Sequence, residues 1–272
     1  MPDIQRGAPE RVRLTLTYEM AVLPEVITQN IRAALQRKYK PFTLLLAPPH
    51  EREVSVVGFG PSLRRMYDHL RGDIWACNGA HNWLIERGII PKYAMFWDAS
   101  PEIAKFVKPH KDVIYLIASR CHPAVFEALE GFNVYVWHVG GDDALEDLLE
   151  EFRIFEPILP GGSAAVTRGM VVATTMGYKK INLFGCDCSF DGETTHVIKS
   201  IVDEKKLTVW CDGVDYQSTA WLAGQVEDFK VLAPILRDQG CDLQIYGDGL
   251  LPHVARINGF AVHNSTVEEI NG

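Results

Sequence analysis

Five short segments carry side chains suited to binding anions or sugars or to moving protons, and each sits where an apolar run gives way to polar chain. The first is Val56-Val57-Gly58-Phe59-Gly60-Pro61-Ser62-Leu63. Gly58 permits a tight turn, and Gly60 lets a phosphate approach the backbone. Pro61 suits a first helical turn, and Ser62 offers a hydroxyl and an N–H. Leu63 stands where a dinucleotide fingerprint has its third glycine, and the Lys-Ser/Thr ending of a Walker loop is missing. Flavin and nicotinamide cofactors are therefore not expected. A turn without a ligand would read the same way, so the binding reading requires main-chain amides near Ser62 that are free and aimed outward.

The other four segments follow the same grammar. Asn78, after Ile74-Trp75-Ala76-Cys77, could cap a helix or hydrogen-bond a sugar or base. Asp98, after Phe96-Trp97, could bind ribose, hold magnesium, act as a base, or cap a helix starting near Pro101. Pro160-Gly161-Gly162-Ser163-Ala164 places two glycines and an N-cap serine before a small-residue helix, a second candidate anion cradle. Gly185-Cys186-Asp187 ends the run Ile181 to Phe184, and His196 follows nine residues later. A histidine titrates near neutrality, so His196 is the best-placed general acid or base; a lone loop histidine is otherwise merely exposed.

Elements that could position these groups alternate from Glu53 onward. Short runs that are apolar nearly throughout (54–57, 74–77, 93–97, 113–117, 134–137 and 181–184) read as strands covered on both faces. Helical stretches separate them, which predicts an α/β, Rossmann-like, mostly parallel sheet with helices on both faces. Residues 1–50 read as an N-terminal extension, with a strand pattern over 11–17 and a helix from Leu23 to Arg37, closed by Pro48-Pro49. Residues 51–260 form the main domain, and 261–272 a tail. Residues 191–216 break the rhythm and read equally as a lid or a surface loop, with a hairpin turning at Asp212-Gly213. A long helix over 218–237 and a last strand over 243–246 complete the pattern.

Composition narrows the function. The 272 residues carry a formal charge of −8, which disfavours a nucleic-acid surface while leaving room for a small anion at a helix N-terminus. Six scattered cysteines, mostly in apolar runs, read as reduced core residues of a cytoplasmic protein, and Cys186-x-Cys188 lacks zinc-knuckle spacing. No apolar run approaches the length of a membrane span, and no secretory leader is expected.

Taken in order, Gly58-x-Gly60-Pro61-Ser62-Leu63, Asn78, Trp97-Asp98-Ala99-Ser100, Gly162-Ser163 and Gly177-Tyr178-Lys179-Lys180-Ile181-Asn182-Leu183-Phe184-Gly185-Cys186-Asp187 resemble the MptE-like Rossmann family. That family includes hydroxymethyl-dihydropterin pyrophosphokinases and motility accessory factors that glycosylate flagellin. The same order looks like bacterial sialyltransferases that use a CMP-activated sugar. The resemblance covers about residues 54–196 and implies a nucleotide-dependent transferase. It implies a donor held by Gly60, Ser62, Asn78 and Ser163. Sialyltransferases add lid tyrosines and a histidine near the donor phosphate; this chain lacks the tyrosines after Asp187, and His196 stands in for the histidine. Gly162-Ser163 lacks the acidic run associated with the pterin kinases, which favours glycosyl transfer.

Three expectations follow. The leading one is a transferase moving a sugar from a CMP-, UDP- or GDP-sugar to an acceptor, with His196 or Asp98 as the base. The second is pyrophosphate transfer from ATP, with Asp98 and Asp187 holding magnesium. The third is a nucleotide-binding or assembly protein without catalysis, with residues 1–50 as a partner arm. A homo-oligomer is compatible with all three.

Overall fold

The computed structural model describes residues 22–198 and 205–264. The expected strand over 11–17 lies outside the described residues. The first described elements are the helix α1 (Pro24–Leu35), the short strand β1 (Lys40–Pro41) and a 3-10 turn, Phe42–Leu45. The apolar run 43–47, although strand-length, thus starts as a tight turn that buries only Phe42.

The alternating part then runs through β2 (His50–Val57), α2 (Leu63–Met66), β3 (Asp73–Cys77), α3 (Ala80–Ile85), β4 (Tyr93–Phe96) and β5 (Ile114–Ala118). It continues through α4 (Pro123–Ala128), β6 (Asn133–Val139), α5 (Leu145–Glu151), β7 (Ile158–Leu159), α6 (Ala165–Thr175) and β8 (Tyr178–Phe184). After the insert come β9 (Leu207–Cys211), β10 (Val214–Ser218), α7 (Ala220–Asp238), β11 (Asp242–Tyr246), α8 (Leu250–Ile257) and β12 (Ala261–His263).

The large sheet has the order β1-β6-β5-β4-β3-β2-β8-β11-β12, with β7 beside β6, and its pairs are parallel. Its central strand explains the sequence pattern. On β2, Val54 and Val56 belong to the core under α6, while Val57 packs with Leu63, Ala80, Trp83 and Leu84 of α2 and α3. Positions 54–57 are all buried, so this half of the strand reads as apolar chain interrupted only by Ser55. The chain leaves β2 in one direction to build β3 through β6, then returns to place β8 on the other side. That reversal makes the gap between the ends of β2 and β8 a topological switch point, where open α/β sheets bind ligands.

Residues 24–50 are part of this body. Ile27, Ile31 and Leu35 of α1 pack against Leu145, Leu148 and Leu149 of α5, and β1 extends the sheet edge. At the other edge β12 pairs with β11, so residues 261–263, assigned to a tail from sequence, form a strand. The hairpin predicted around Asp212-Gly213 is the antiparallel ribbon β9–β10.

Candidate functional site

The ends of β2, β3, β4 and β8 meet the first turns of α6 and α7 around a cavity of about 690 Å³. Seven of the residues singled out from sequence line it: Gly58, Gly60, Asn78, Asp98, Ser163, Asp187 and His196. Pro61, Ser62 and Gly162 do not, although Pro61 borders a smaller neighbouring cavity.

The glycine turn is organised differently from the sequence expectation. Three of its amides are bonded within the protein: Gly58 N–H donates to Phe184 O at 2.7 Å, Gly60 N–H to Gly185 O at 2.8 Å, and Ser62 N–H to Asp187 Oδ2 at 3.1 Å. Ser62 itself is fully buried. The requirement of outward-facing amides at Ser62 is therefore not met, and Ser62 and Pro61 hold the turn rather than a ligand. Asp187 supplies an internal carboxylate where an external anion was expected. A Cβ on Gly60 would stand 2.7 Å from Gly185 O and overlap the Asp187 carboxylate, so this approach needs glycine. Burial pushes the Asp187 carboxyl up to about 6, with the Ser62 amide offsetting part of that rise.

The second glycine segment does open on the cavity. Ala164, Ala165, Val166 and Thr167 line it, and the amides of Ala165, Val166 and Thr167 form no hydrogen bond among the described residues. These are the N–H groups that a helix leaves unpaired at its positive end, and α6 is three turns long. The N-cap is Ala164, not Ser163. Ser163 instead donates its N–H and hydroxyl to Asp228 Oδ2 of α7, at 2.6 Å and 2.5 Å. Gly162 packs beneath Asp228, where a Cβ would come within 2.7 Å of that side chain and of Thr167 Oγ1. Gly162 and Ser163 therefore anchor the loop and leave the helix end open to the cavity.

Asn78 is held with φ +48° by its own N–H, which donates to Met95 O at 3.0 Å. Its side chain does not cap α3, whose N-cap is Gly79, and its Oδ1 is buried without a partner. A buried amide oxygen left unpaired is costly, and here it belongs to a residue of the cavity wall. Asp98 Oδ1 accepts Ser100 N–H at 2.9 Å, while Ser100 caps the 3-10 turn Pro101–Phe106 through Glu102 N–H. His196 reaches the cavity from the insert. Its Nδ1 lies 2.9 Å from Thr195 Oγ1, and its ring is 5.8 Å from that of Phe59. Val197 N–H donates to Phe59 O at 2.8 Å, which fixes this stretch to the glycine turn. The β9–β10 ribbon is tied down as well, by Phe190 N–H to Gln217 O at 2.8 Å and by Tyr216 Oη to His253 Nδ1 at 2.7 Å.

Much of the remaining wall is apolar. Cys77, Cys186 and Cys188 contribute thiols whose pKa burial raises, so they act as small apolar residues and not as nucleophiles. All six cysteines are buried and unbridged. Trp97, Phe106 and Trp221 add flat surfaces. The charged side chains of the wall are Asp98, Glu102, Lys105 and Asp187, and Lys105 pairs with Glu102. Positive potential in the cavity therefore comes from backbone at α6 and not from free lysines or arginines. Sequence reasoning missed Asp228, which acts from 65 residues away, and the apolar face of α7, which its spacing of Leu222, Val226 and Phe229 could have revealed.

Among known proteins, a family model described as 6-hydroxymethylpterin diphosphokinase MptE-like matches residues 25–193. No curated protein matches the chain. Of solved structures, the MAf glycosyltransferase from Magnetospirillum magneticum AMB-1 is similar at a TM-score of 0.63 and 15% identity, over 92% of this chain and 39% of that one. The chain thus spans about two fifths of that protein, and the likeness is one of fold. A mammalian sialyltransferase in complex with Gal-beta-1-3GalNAc-ortho-nitrophenol aligns at 10% identity and a TM-score of 0.41, covering 82% of this chain and 79% of that one. A further mammalian sialyltransferase structure gives 12%, 0.40, 80% and 84%. No helix among the described residues is long and apolar enough to cross a membrane.

Proposed function

Because the chain belongs to the 6-hydroxymethylpterin diphosphokinase MptE-like family, we propose that it is a nucleotide-dependent transferase whose donor binds in the 690 Å³ cavity. The donor phosphate lies at the start of α6, where the amides of Ala165, Val166 and Thr167 receive its oxygens. The base lies against the aromatic wall, and Asn78 Oδ1 accepts an N–H from it. His196 or Asp98 takes the proton of the acceptor hydroxyl as its oxygen bonds to the transferred group. The bond from that group to the donor phosphate breaks, and the nucleotide leaves with the electron pair. The observation that carries this reading is the conjunction of an open helix N-terminus and an unpartnered amide oxygen on one cavity wall.

Glycosyl transfer from a nucleotide-activated sugar fits the cavity best. One backbone cradle and no unpaired lysine or arginine in the wall suit a donor of low phosphate charge, such as a CMP-sugar, better than a triphosphate. The family's name favours a second reading, magnesium-dependent pyrophosphate transfer from ATP. In that reading Asp98 and Asp187 would share the ion, but Asp187 Oδ2 already accepts the Ser62 amide. Calorimetry with a panel of CMP-, UDP- and GDP-sugars tests the first reading, and failure of every member to bind ends it. Release of AMP from ATP, strictly dependent on magnesium, would select the second.

A further inference from the structure

Beside the cavity, on the side away from the glycine turn, lies a group of charges that the donor does not use. Arg168, on the first turn of α6, is 6% exposed, and its guanidinium has no hydrogen bond or ion pair among the described residues. Its Nε and Nη1 are both buried without partners. Arg120, just past the end of β5, forms an ion pair through Nη1 with Asp142 Oδ1 at 3.0 Å, and its Nε is likewise unpartnered. Asp142 Oδ2 has no partner either. Asp228, the other carboxylate felt by Arg168, is engaged by Ser163. Of the two carboxylates near these guanidinium groups, only Asp142 is ion-paired with one of them, and the positive end of α6 adds to the same sign.

Buried charges are normally paired, because an uncompensated ion in a low-dielectric site is strongly unfavourable. Arg168 departs from that rule, and desolvation lowers its pKa to about 10. Its position explains what could complete it. The Arg168 and Arg120 Cζ atoms lie 4.5 Å and 5.3 Å from the Trp97 ring centroid, and Trp97 is part of the cavity wall. The cluster thus sits at the carboxyl ends of β4, β5 and β6, on the ligand-binding edge of the sheet.

We propose that Arg120 and Arg168 form an oxyanion subsite at the Trp97 end of the cavity, taking a carboxylate or phosphate carried by the second substrate. A guanidinium fork matches either group with paired N–H bonds. The anion would satisfy the Nε and Nη1 donors of Arg168 and the Nε donor of Arg120. The assignment to the second substrate rests on the transferase reading; the oxyanion subsite itself does not.

The test begins without any transferase assay. The full chain is titrated with inorganic phosphate and with acetate at constant ionic strength, following Trp fluorescence and thermal stability. Saturable binding is expected in the parent protein, weakened about tenfold or more in Arg168→Gln and in Arg120→Gln. If Arg168→Gln does not fold, Arg120→Gln and a selenate soak read by anomalous scattering decide. Absence of saturable binding in the parent, or no scatterer within hydrogen-bond distance of Arg168, overturns the subsite and leaves the transferase reading intact. If the anions bind and an acidic acceptor shows a raised KM in Arg168→Gln at unchanged donor affinity, the substrate assignment stands. If the anions bind and neutral acceptors are used equally well by both proteins, that assignment falls while the subsite remains.

Discussion

Replacing Asp187 by Asn should stabilise the protein at neutral pH and leave it unchanged in acid. The carboxyl group is buried, and its pKa is raised from 3.8 to about 6. A folded-state pKa above the unfolded one means that the native protein holds this proton more tightly. Stability from this group is thus fully present below about pH 4 and is lost as pH rises through about 6. A gap of about two pH units, at about 1.4 kcal/mol each, amounts to about 3 kcal/mol of destabilisation at pH 7.5. Asn keeps an oxygen to accept the Ser62 N–H, and its amide can donate to Ser62 Oγ, which is buried without another partner. Urea unfolding of both proteins from pH 4 to 8 measures the difference. Glu156 and Asp142 also have raised pKa values, but they are common to both proteins and cancel. An Asn variant that is less stable at pH 7.5, or a difference that does not change with pH, would refute the account of Asp187 as an enclosed charge.

Four further outcomes are expected. Gly60→Ala should cost about 3 kcal/mol or more in urea unfolding, because its Cβ meets backbone and a fixed carboxylate; a cost under about 0.5 kcal/mol contradicts the close approach. Asn78→Gly keeps the positive φ, so stability should hold within about 0.5 kcal/mol while the donor Kd rises about tenfold by calorimetry. His196→Ala should lower kcat by about a hundredfold or more; an unchanged kcat would assign the base to Asp98. Tyr216→Phe removes the bond to His253 and should speed amide exchange in β9–β10 at a cost of about 1 kcal/mol; unchanged exchange would mean that the ribbon is held elsewhere.

The sheet was legible because its strands are buried on both faces and its helices separate them at regular intervals. The convergence of Gly58, Asn78, Asp98, Asp187 and His196 followed from the same pattern, since each stands at or beyond the end of a parallel strand. What local reading could not supply was the partner of each polar group. Asp187 completes Ser62 from 125 residues away, and Asp228 completes Ser163 from 65. Nothing in the flanking residues marks those pairings, so both serines looked available for a ligand. The helix α8 is not among the elements read from sequence, although Leu250, Leu251, Val254 and Ala255 form a buried face. Apolar content alone does not separate a strand from a 3-10 turn, as Phe42–Leu45 shows.

The place of β2 in the sheet has a consequence for how the molecule is made. Val54 finds one neighbour strand nearby in the chain, at Asp73, but its other neighbour is Ile181. During synthesis the half-sheet from β2 to β6 must wait with three valines, Val54, Val56 and Val57, along an uncovered margin that offers bare N–H and C=O groups to any passing strand. Nascent chains that stall before Tyr178, and shortened versions ending there, should clump in the cell unless a chaperone shields that margin.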